Sequence, residues 1–256
     1  MTVEAKPLQR PRPYRARRRA TVASVLGELL ITAGIVVMLF ISWQLWIGDL
    51  IIGEQNNLAG AEQIEQWSGL EVAPPPVTED PETGERSYEP PALEHPDEGE
   101  VFATMRVPRW GDDYKVNIAG GTTRAVTLDH IGIGLYDDSR MPGEVGNFAV
   151  AAHRTTFGKP FADITTLQIG DAVVVEAPEG WFTYRYRSLE YVVPTQLDVL
   201  SDVPRMPEVE SSGTRYITLT SCSPRFSLAE RIIGYGVFES FTPRSEGEPD
   251  SLKSVS

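Results

Sequence analysis

The chain has 256 residues, a formal net charge of −13, three histidines and a single cysteine. That length accommodates one domain of ordinary size with additional segments, and a lone cysteine excludes an internal disulfide framework. One cysteine with three scattered histidines also excludes a zinc site of the usual spacing, and no strand is followed by a Walker or G-x-G-x-x-G phosphate loop. We therefore expect neither a metal nor a cofactor.

The N-terminal region predicts a membrane helix preceded by a basic tail. Residues 1–21 carry seven basic side chains and one acidic one, and residues 22–47 then read VASVLGELLITAGIVVMLFISWQLWI, with Glu28 as the only charge. At about 1.5 Å per residue, a helix of this length crosses a hydrocarbon core of about 30 Å. The arginines before it and Trp43 and Trp46 at its far end predict a cytoplasmic N-terminus.

Two alternatives to a membrane helix stay open, namely a cleaved signal peptide and a buried core helix. The apolar part of a signal peptide covers only about 7–15 residues before a small-residue cleavage site, and core helices rarely stay apolar on every face. We predict a single-pass protein of the cell membrane that contacts lipid through this helix, with everything after residue 50 outside the cytoplasm. Membrane topology explains the basic tail better than nucleic acid, for which the folded region has no basic patch.

The two segments that flank the folded domain have the composition of unstructured chain. Residues 48–100 are rich in Glu, Asp and Pro, which predicts an extended, self-repelling linker. Much of the negative charge lies there, and an acidic partner-binding segment is the alternative interpretation. Residues 242–256 show no apolar periodicity and predict a disordered tail.

Residues 101–241 predict the folded domain, because short apolar and β-branched runs alternate with Gly, Pro and Asp. Many short strands at this spacing favour an all-β antiparallel sandwich or closed barrel. One turn of helix is predicted around Phe161–Leu167, and a hairpin turn at Ala177–Gly180. The predicted strands are Ala103–Val107, Lys115–Ile118, Asn147–Ala152, Ala172–Glu176, Phe182–Arg187, Glu190–Val193, Tyr216–Ser221 and Ile232–Phe241.

Cys222 is the strongest local signal for chemistry. It ends a β-rich run, and Ser223-Pro224 cannot continue a strand ladder, so the thiol lies where loops and clefts form. A lone cysteine is a buried small hydrophobe, an intermolecular link or a reactive thiol. Composition alone does not choose among the three.

Arg231 directly precedes the last predicted strand, Ile232–Phe241, and follows the loop Ser223–Ala229. If the two strands pair, Arg231 faces the region of Cys222. A guanidinium beside a thiol stabilises the thiolate, and it can also hold the oxyanion formed when sulfur attacks a carbonyl. Arg225 in the loop is a competing candidate, and a surface charge at a strand edge is the non-catalytic interpretation.

A thiol nucleophile also needs an acid or base partner, for which there are three histidines. His95 falls in the predicted linker, and His130 in a predicted solvent-facing turn. His153 instead ends the apolar run Phe148–Ala152, so that it and Cys222 both lie at strand ends, as a site at one mouth of a barrel requires. A structural histidine is the alternative.

Three motifs occur together and carry a family resemblance. Thr218-Leu219-Thr220-Ser221-Cys222 matches Thr-Leu-x-Thr-Cys, Arg231 follows nine residues later, and Gly146–Gly158 matches a Gly-Asn…Gly-His-Arg stretch. By these motifs the domain resembles the sortases, most closely the actinobacterial class E type. Further matches are Val107-Pro108-Arg109, Pro142-Gly143, Leu167-x-x-Gly170-Asp171 and, in the apolar helix, Gly27–Thr32.

This resemblance implies a closed eight-stranded β-barrel with short helices and a cysteine transpeptidase activity. The implied substrate is a secreted protein with a Leu-Ala-x-Thr-Gly-like sorting motif, which is cleaved between Thr and Gly through a thioester and passed to a peptidoglycan precursor amine or a pilin lysine. The implied roles are Cys222 as nucleophile, His153 as general acid and base, and Arg231 as oxyanion and substrate donor. Thr220 and Ser221 would line the substrate groove.

Two positions depart from the family pattern. Ser221 replaces the usual Thr but keeps its hydroxyl, and Ala152 replaces the Gly that commonly precedes the histidine, which narrows the backbone conformations available there. Two rival functions stay open. One is a non-catalytic, wall-associated barrel that binds peptides, and the other is an extracytoplasmic cysteine hydrolase that releases its acyl group to water.

Overall fold

A computed structural model describes residues 21–43, 47–70, 72–73, 75–79, 81 and 86–253. The chain divides after Trp43 into two compact units. The first contains helix α1, Val22–Ser42, which begins where the Thr21 hydroxyl accepts a hydrogen bond from the Ser24 N–H, and none of its residues is buried. With 21 residues, this helix is long and apolar enough to cross a membrane. Most of the predicted basic tail, and residues 44–46 of the predicted membrane helix, lie outside the described residues.

Among its described residues, the second unit contains one α-helix and ten strands. Helix α2 spans Gly48–Ser68. The strands are β1 Val77–Glu79, β2 Arg86–Tyr88, β3 Val101–Arg106, β4 Lys115–Gly120, β5 Ile133–Leu135, β6 Gly146–Ala152, β7 Ala172–Ala177, β8 Gly180–Val192, β9 Arg215–Ser223 and β10 Glu230–Pro243.

Eight of these strands close into a barrel in the order β10-β8-β7-β3-β4-β5-β6-β9, while β1 and β2 form a separate hairpin. Two neighbouring pairs are parallel, β4 with β5 and β6 with β9, and the others are antiparallel. The prediction of an all-β, closed eight-stranded barrel with short helices is confirmed. Closure leaves no free barrel edge, so the positions of site residues follow from strand register.

The predicted strands agree with the observed strands of the barrel, with two differences; the hairpin strands β1 and β2 were not predicted. The two predicted strands Phe182–Arg187 and Glu190–Val193 are one long strand, β8, whose pairing with β10 contains irregularities. Strand β5 was not predicted, because three residues are too few for an alternating pattern. The predicted hairpin is present, since Ala177 pairs with Gly180, and the predicted helical turn is a 3₁₀ turn at Ile164–Thr166.

The barrel interior is filled by apolar side chains, and Tyr184 is the largest of those that are fully buried. Its hydroxyl accepts a hydrogen bond from the Gly143 N–H at 2.8 Å. Gly143 has a φ of +81°, and a Cβ there would lie 2.6 Å from Pro90 Cβ. The Pro142-Gly143 motif therefore serves the fold, because only glycine suits this close, left-handed position.

Arg109 and Asp171, from two of the other matching motifs, also serve the fold. The guanidinium is bidentate on the carboxylate, with Nε to Oδ2 at 2.6 Å and Nη2 to Oδ1 at 2.7 Å. Burial raises the pKa of Asp171, but hydrogen bonds from Arg109 and from the Gln168 N–H outweigh it, so this pKa lies below its ordinary value of 3.8. The pair joins the turn after β3 to the start of β7.

The prediction of an extended linker over residues 48–100 is wrong for Gly48–Ser68, because these residues form α2, which packs against β4. The buried residues of α2 are Asp49, Asn56, Gly60 and Trp67, a contact face with little apolar character. At Gly60 the backbones approach so closely that a Cβ would lie 2.1 Å from Lys115 O, and Asn57 Oδ1 accepts a hydrogen bond from the Lys115 N–H at 3.2 Å. A helix that docks through small and polar residues has no apolar stripe for a sequence pattern to detect.

The predicted disorder of residues 242–256 is wrong up to residue 253. Strand β10 continues to Pro243, and two short 3₁₀ turns follow it. Arg244 lies over the Trp181 ring at 4.9 Å, and Leu252 packs against the small apolar cluster of which Trp181 is part. Contacts with Trp181 thus help to order this polar tail, together with hydrogen bonds from Arg244 to the Pro178 and Ala177 carbonyls. Residues 254–256 lie outside the described part of the chain.

Candidate active site

Strand β9 carries the thiol to one end of the barrel. Its residues alternate: Ile217 and Leu219 belong to the barrel core, whereas Thr218, Thr220 and Cys222 project from the opposite face. Cys222 is partly exposed, while the residues on either side of it are buried. The strand thus presents the sulfur at the surface of a rigid element.

Arg231 lies directly opposite Cys222 in the antiparallel ladder of β9 and β10. Directly opposed residues share a face, with Cβ atoms about 4.5–5.5 Å apart, so the expectation that Arg231 faces the cysteine is confirmed. The guanidinium donates from Nη1 to the carbonyls of Leu228 at 3.2 Å and Glu230 at 3.0 Å. These bonds hold one of its nitrogens and leave other donors for a ligand.

Arg225, the competing arginine, faces elsewhere. Its Nη2 donates to the Ala162 carbonyl at 2.8 Å and lies 3.9 Å from the Asp163 carboxylate. Within the described part of the chain it does not line the cavity that contains Cys222. The geometry favours Arg231.

His153 reaches the same place from the other side of β9. Strand β6 runs parallel to β9 with Ala151 opposite Thr220, and His153, which directly follows β6, lies two residues beyond Ala151, as Cys222 lies two residues beyond Thr220. Three adjacent strands, β6, β9 and β10, therefore carry the imidazole, the thiol and the guanidinium to one end of the barrel. His130 is exposed in a turn and His95 contacts the Ser139 carbonyl at 2.8 Å, and neither lines the cavity around Cys222.

A cavity of about 470 Å³ joins the three residues. Thr220 and Ser221 line it too, but their hydroxyls also bind strand β6: Thr220 Oγ1 donates to the Val150 carbonyl at 3.2 Å and Ser221 Oγ to the Ala152 carbonyl at 2.7 Å. These bonds fix the β6–β9 register. Ala152 is buried in β6 with no left-handed φ, so the departure from Gly requires no unusual backbone there.

The cavity wall contains residues that the sequence reasoning missed. Tyr136 follows the unpredicted strand β5, and its hydroxyl forms a hydrogen bond with Thr220 Oγ1 at 2.9 Å. Burial raises the pKa of Tyr136 above its ordinary value, against the opposing effects of the Thr220 bond and the Arg231 charge. The phenol therefore stays protonated at neutral pH. Leu128, Phe226 and Leu228 add apolar surface to the same wall.

Asp129 is the other residue missed. Its Oδ1 lies 2.7 Å from His153 Nε2, and both side chains are about 15% exposed. The sequence predicts a solvent-facing turn around His130, and nothing in the pattern distinguished the neighbouring Asp129 from the acid of an ordinary turn.

Comparison with known proteins gives a consistent result. The sortase-domain family profile matches residues 105–239. Sortase SrtE1 of Streptomyces coelicolor is 35% identical over 252 residues, covering 95% of this chain and 65% of that protein, so the chain spans slightly less than two thirds of that relative. Sortase SrtE2 of the same organism is 30% identical over 87% of this chain and 86% of that protein.

Solved structures of similar proteins include the SrtA sortase from Actinomyces oris, with 35% identity and a TM-score of 0.61 over 65% of this chain and 95% of that one. Sortase E1 from Streptomyces coelicolor, solved with a tripeptide in its active site, has 36% identity and a TM-score of 0.56 over 61% of this chain and 99% of that one. Sortase E from Streptomyces avermitilis has 37% identity and a TM-score of 0.55 over 61% of this chain and 99% of that one.

Proposed function

The chain belongs to the sortase family of transpeptidases, and on that basis we propose that it cleaves a Leu-Ala-x-Thr-Gly-like sorting motif between Thr and Gly and transfers the protein to an amine. The single observation that supports this most is the cavity that contains Cys222, His153 and Arg231. A barrel that only binds peptides has no need of a thiol, an imidazole and a guanidinium in one cleft.

In the proposed reaction, the Cys222 thiolate attacks the threonine carbonyl carbon, and the carbonyl electrons move to oxygen. Collapse of this tetrahedral intermediate breaks the C–N bond to glycine and leaves a thioester on sulfur. An incoming amine then attacks the thioester carbonyl and releases the thiolate. The partial exposure of Cys222 at a strand end supports its access to a peptide.

His153 is proposed to move the protons. As imidazolium it protonates the leaving glycine nitrogen when the C–N bond breaks, and as imidazole it accepts the proton of the incoming amine. Its place in the same cavity as Cys222, just after the end of the neighbouring strand β6, supports both steps. A single group thus acts in both half-reactions, because the second is the reverse of the first with a different amine.

Arg231 is proposed to stabilise the oxyanion and to bind a substrate carbonyl. A guanidinium keeps its charge and offers five N–H donors, whereas two backbone carbonyls here occupy only Nη1. Preorganised donors of this kind act on charge that develops in the transition state. Thr220 and Ser221 are proposed to line the substrate groove beside it.

The proposed partners are secreted proteins with sorting motifs and, as acceptor, a peptidoglycan precursor amine or a pilin lysine. We further propose that α1 anchors the chain in the cell membrane, with the N-terminus in the cytoplasm and the barrel outside. The length and exposure of Val22–Ser42 and the arginines before it support this placement.

The test is cleavage of a fluorogenic Leu-Ala-x-Thr-Gly peptide by the full chain in detergent, with and without an added amine. We expect faster cleavage with the amine and a peptide–amine product in mass spectra. A full rate in water without any amine product would instead establish a hydrolase. Binding of the peptide without cleavage would establish a non-catalytic barrel.

A further inference from the structure

His153 is one of four side chains beside the cavity that form a closed ring of contacts. Asp129 Oδ1 contacts His153 Nε2 at 2.7 Å, and the same oxygen accepts a hydrogen bond from Arg124 Nε at 3.3 Å. The Phe157 ring packs on the imidazole with centroids 5.0 Å apart, and the Arg124 guanidinium lies 5.6 Å from the Phe157 centroid. Each of the four residues therefore touches two of the others.

The element that carries Asp129 is anchored to the barrel. Arg124–Leu128 forms one turn of π-helix, a rare local structure that is frequent at functional sites. Thr127 within it is fully buried, and its Oγ1 donates to the Gly120 carbonyl at the end of β4, at 2.9 Å. A carboxylate two residues further on is thus held at a fixed position rather than on a mobile turn.

Phe157 adds a second, independent constraint on the imidazole. It has a φ of +53°, which is rare for a bulky side chain and costs on the order of 1 kcal/mol or more. That conformation directs the Phe157 ring onto His153. Asp129 therefore holds the edge of the imidazole, and Phe157 holds its face.

From this geometry we propose that Asp129 is a positioning residue for His153, which makes the site a Cys–His–Asp arrangement assisted by Arg231. This inference rests on the proposed function, in which His153 moves protons. The carboxylate accepts a hydrogen bond from Nε2–H, so the neutral imidazole carries its hydrogen on Nε2 and has its lone pair on Nδ1. Nδ1 is then the nitrogen that gives a proton to the leaving amine and takes one from the incoming amine.

The carboxylate has a second effect on the imidazolium. A negative charge 2.7 Å from Nε2 stabilises the charged ring that forms when Nδ1 accepts the proton of the incoming amine. Arg124 donates a hydrogen bond to the same oxygen, but 68% of its side chain is exposed, so solvent screens its charge. Asp129 is the only carboxylate within ion-pair distance of His153 among the described residues.

The test compares Asp129→Asn and Asp129→Ala with the unmodified full chain in the peptide assay. We expect kcat to fall by about 10- to 10³-fold, because a positioned acid–base group contributes about 10²- to 10⁴-fold, while KM changes little. The matched control is Asp202→Asn, which removes an aspartate that is also paired with an arginine, Arg140, but lies against Gly146 at the opposite end of β6. The control should keep full activity.

A second readout separates positioning from simple structural support. In ¹⁵N-histidine-labelled chain at alkaline pH, His153, identified by the signal lost in His153→Gln, should carry its proton on Nε2, and Asp129→Ala should abolish that preference. Unchanged kcat in both Asp129 variants, or a wild-type tautomer with the proton on Nδ1, would overturn the inference. If the unmodified chain cleaves no peptide, the proposed function fails, and the positioning role for catalysis fails with it. The tautomer then still decides whether Asp129 orients the ring.

Discussion

Cys222 and Arg231 are a directly opposed pair in the ladder that joins β9 to β10. Their proximity depends on backbone register rather than on a flexible loop, because a slip of one residue would move one of them to the other face of the sheet. The parallel register between β6 and β9 pairs Ala151 with Thr220, and His153 and Cys222 each follow two residues later. The site is therefore a property of three adjacent strands.

Two substitutions of Arg231 should separate the effect of its charge on kcat/KM from the effect of its hydrogen-bond geometry. Arg231→Gln is expected to lower kcat/KM by about 10²- to 10³-fold, the usual cost of removing an oxyanion donor. Arg231→Lys should recover only part of the loss, since lysine keeps the charge but not the planar fork. The control is Arg225→Gln, in the loop that precedes β10. An equal loss in the control would mean that Arg231 was assigned wrongly.

His153→Gln should lower kcat by about 10²- to 10⁴-fold, because proton transfer to the leaving amine loses its donor. Steady-state kinetics with the fluorogenic peptide measures this. The comparison is His130→Gln, an exposed histidine in the same part of the barrel that does not line the cavity. Normal turnover in His153→Gln would exclude this imidazole as the acid–base group.

Gly60→Ala should destabilise the second unit. A Cβ at this position would lie 2.1 Å from Lys115 O, so α2 must shift away from β4. Overpacking of this kind costs about 1–3 kcal/mol. Gly69→Ala at the end of the same helix is the control, since a Cβ there meets nothing within 4 Å. If thermal unfolding shows equal midpoints for both variants, α2 does not contribute to the stability of the barrel.

Asp171→Asn should lower stability by about 1–3 kcal/mol, because Arg109 loses its charged acceptor. The folded-state pKa of Asp171 lies below 3.8, so its contribution is complete above that pH and is lost as pH falls through the folded value. The stability difference between Asp171→Asn and the unmodified chain should therefore disappear on strong acidification. A difference that persists at the lowest pH would point to packing rather than to the carboxylate charge.

The barrel, and the pairing that places Arg231 opposite Cys222, could be predicted because their signals are local. Strands such as β9 and β10 are long, β-branched and bounded by breakers, and the loop between Cys222 and Arg231 is short enough to make their pairing an obvious hypothesis. The cysteine was unique, which removed any choice of nucleophile. The register of β9 with β10 then determined which arginine lies opposite it.

The misses share a physical cause, since each depends on a contact between segments far apart in sequence. Helix α2 docks on β4 through Gly60 and Asn57, and the C-terminal tail is held by polar contacts with the barrel as well as by Trp181, so neither shows an apolar pattern of its own. Asp129 could be identified as a site residue only from the fold, in which its Oδ1 lies 2.7 Å from His153 Nε2. Composition therefore suggested linker, tail and turn where tertiary contacts produce order.

The most direct test of the account is intact-mass spectrometry of the full chain mixed with a Leu-Ala-x-Thr-Gly peptide and stopped by acid. We predict an adduct on the unmodified protein equal in mass to the acyl fragment that ends at threonine, mapped by digestion to Cys222 and discharged when an amine is added. Cys222→Ala should show neither adduct nor cleavage. Cleavage that persists in Cys222→Ala, or an adduct mapped to any other residue, would contradict the account.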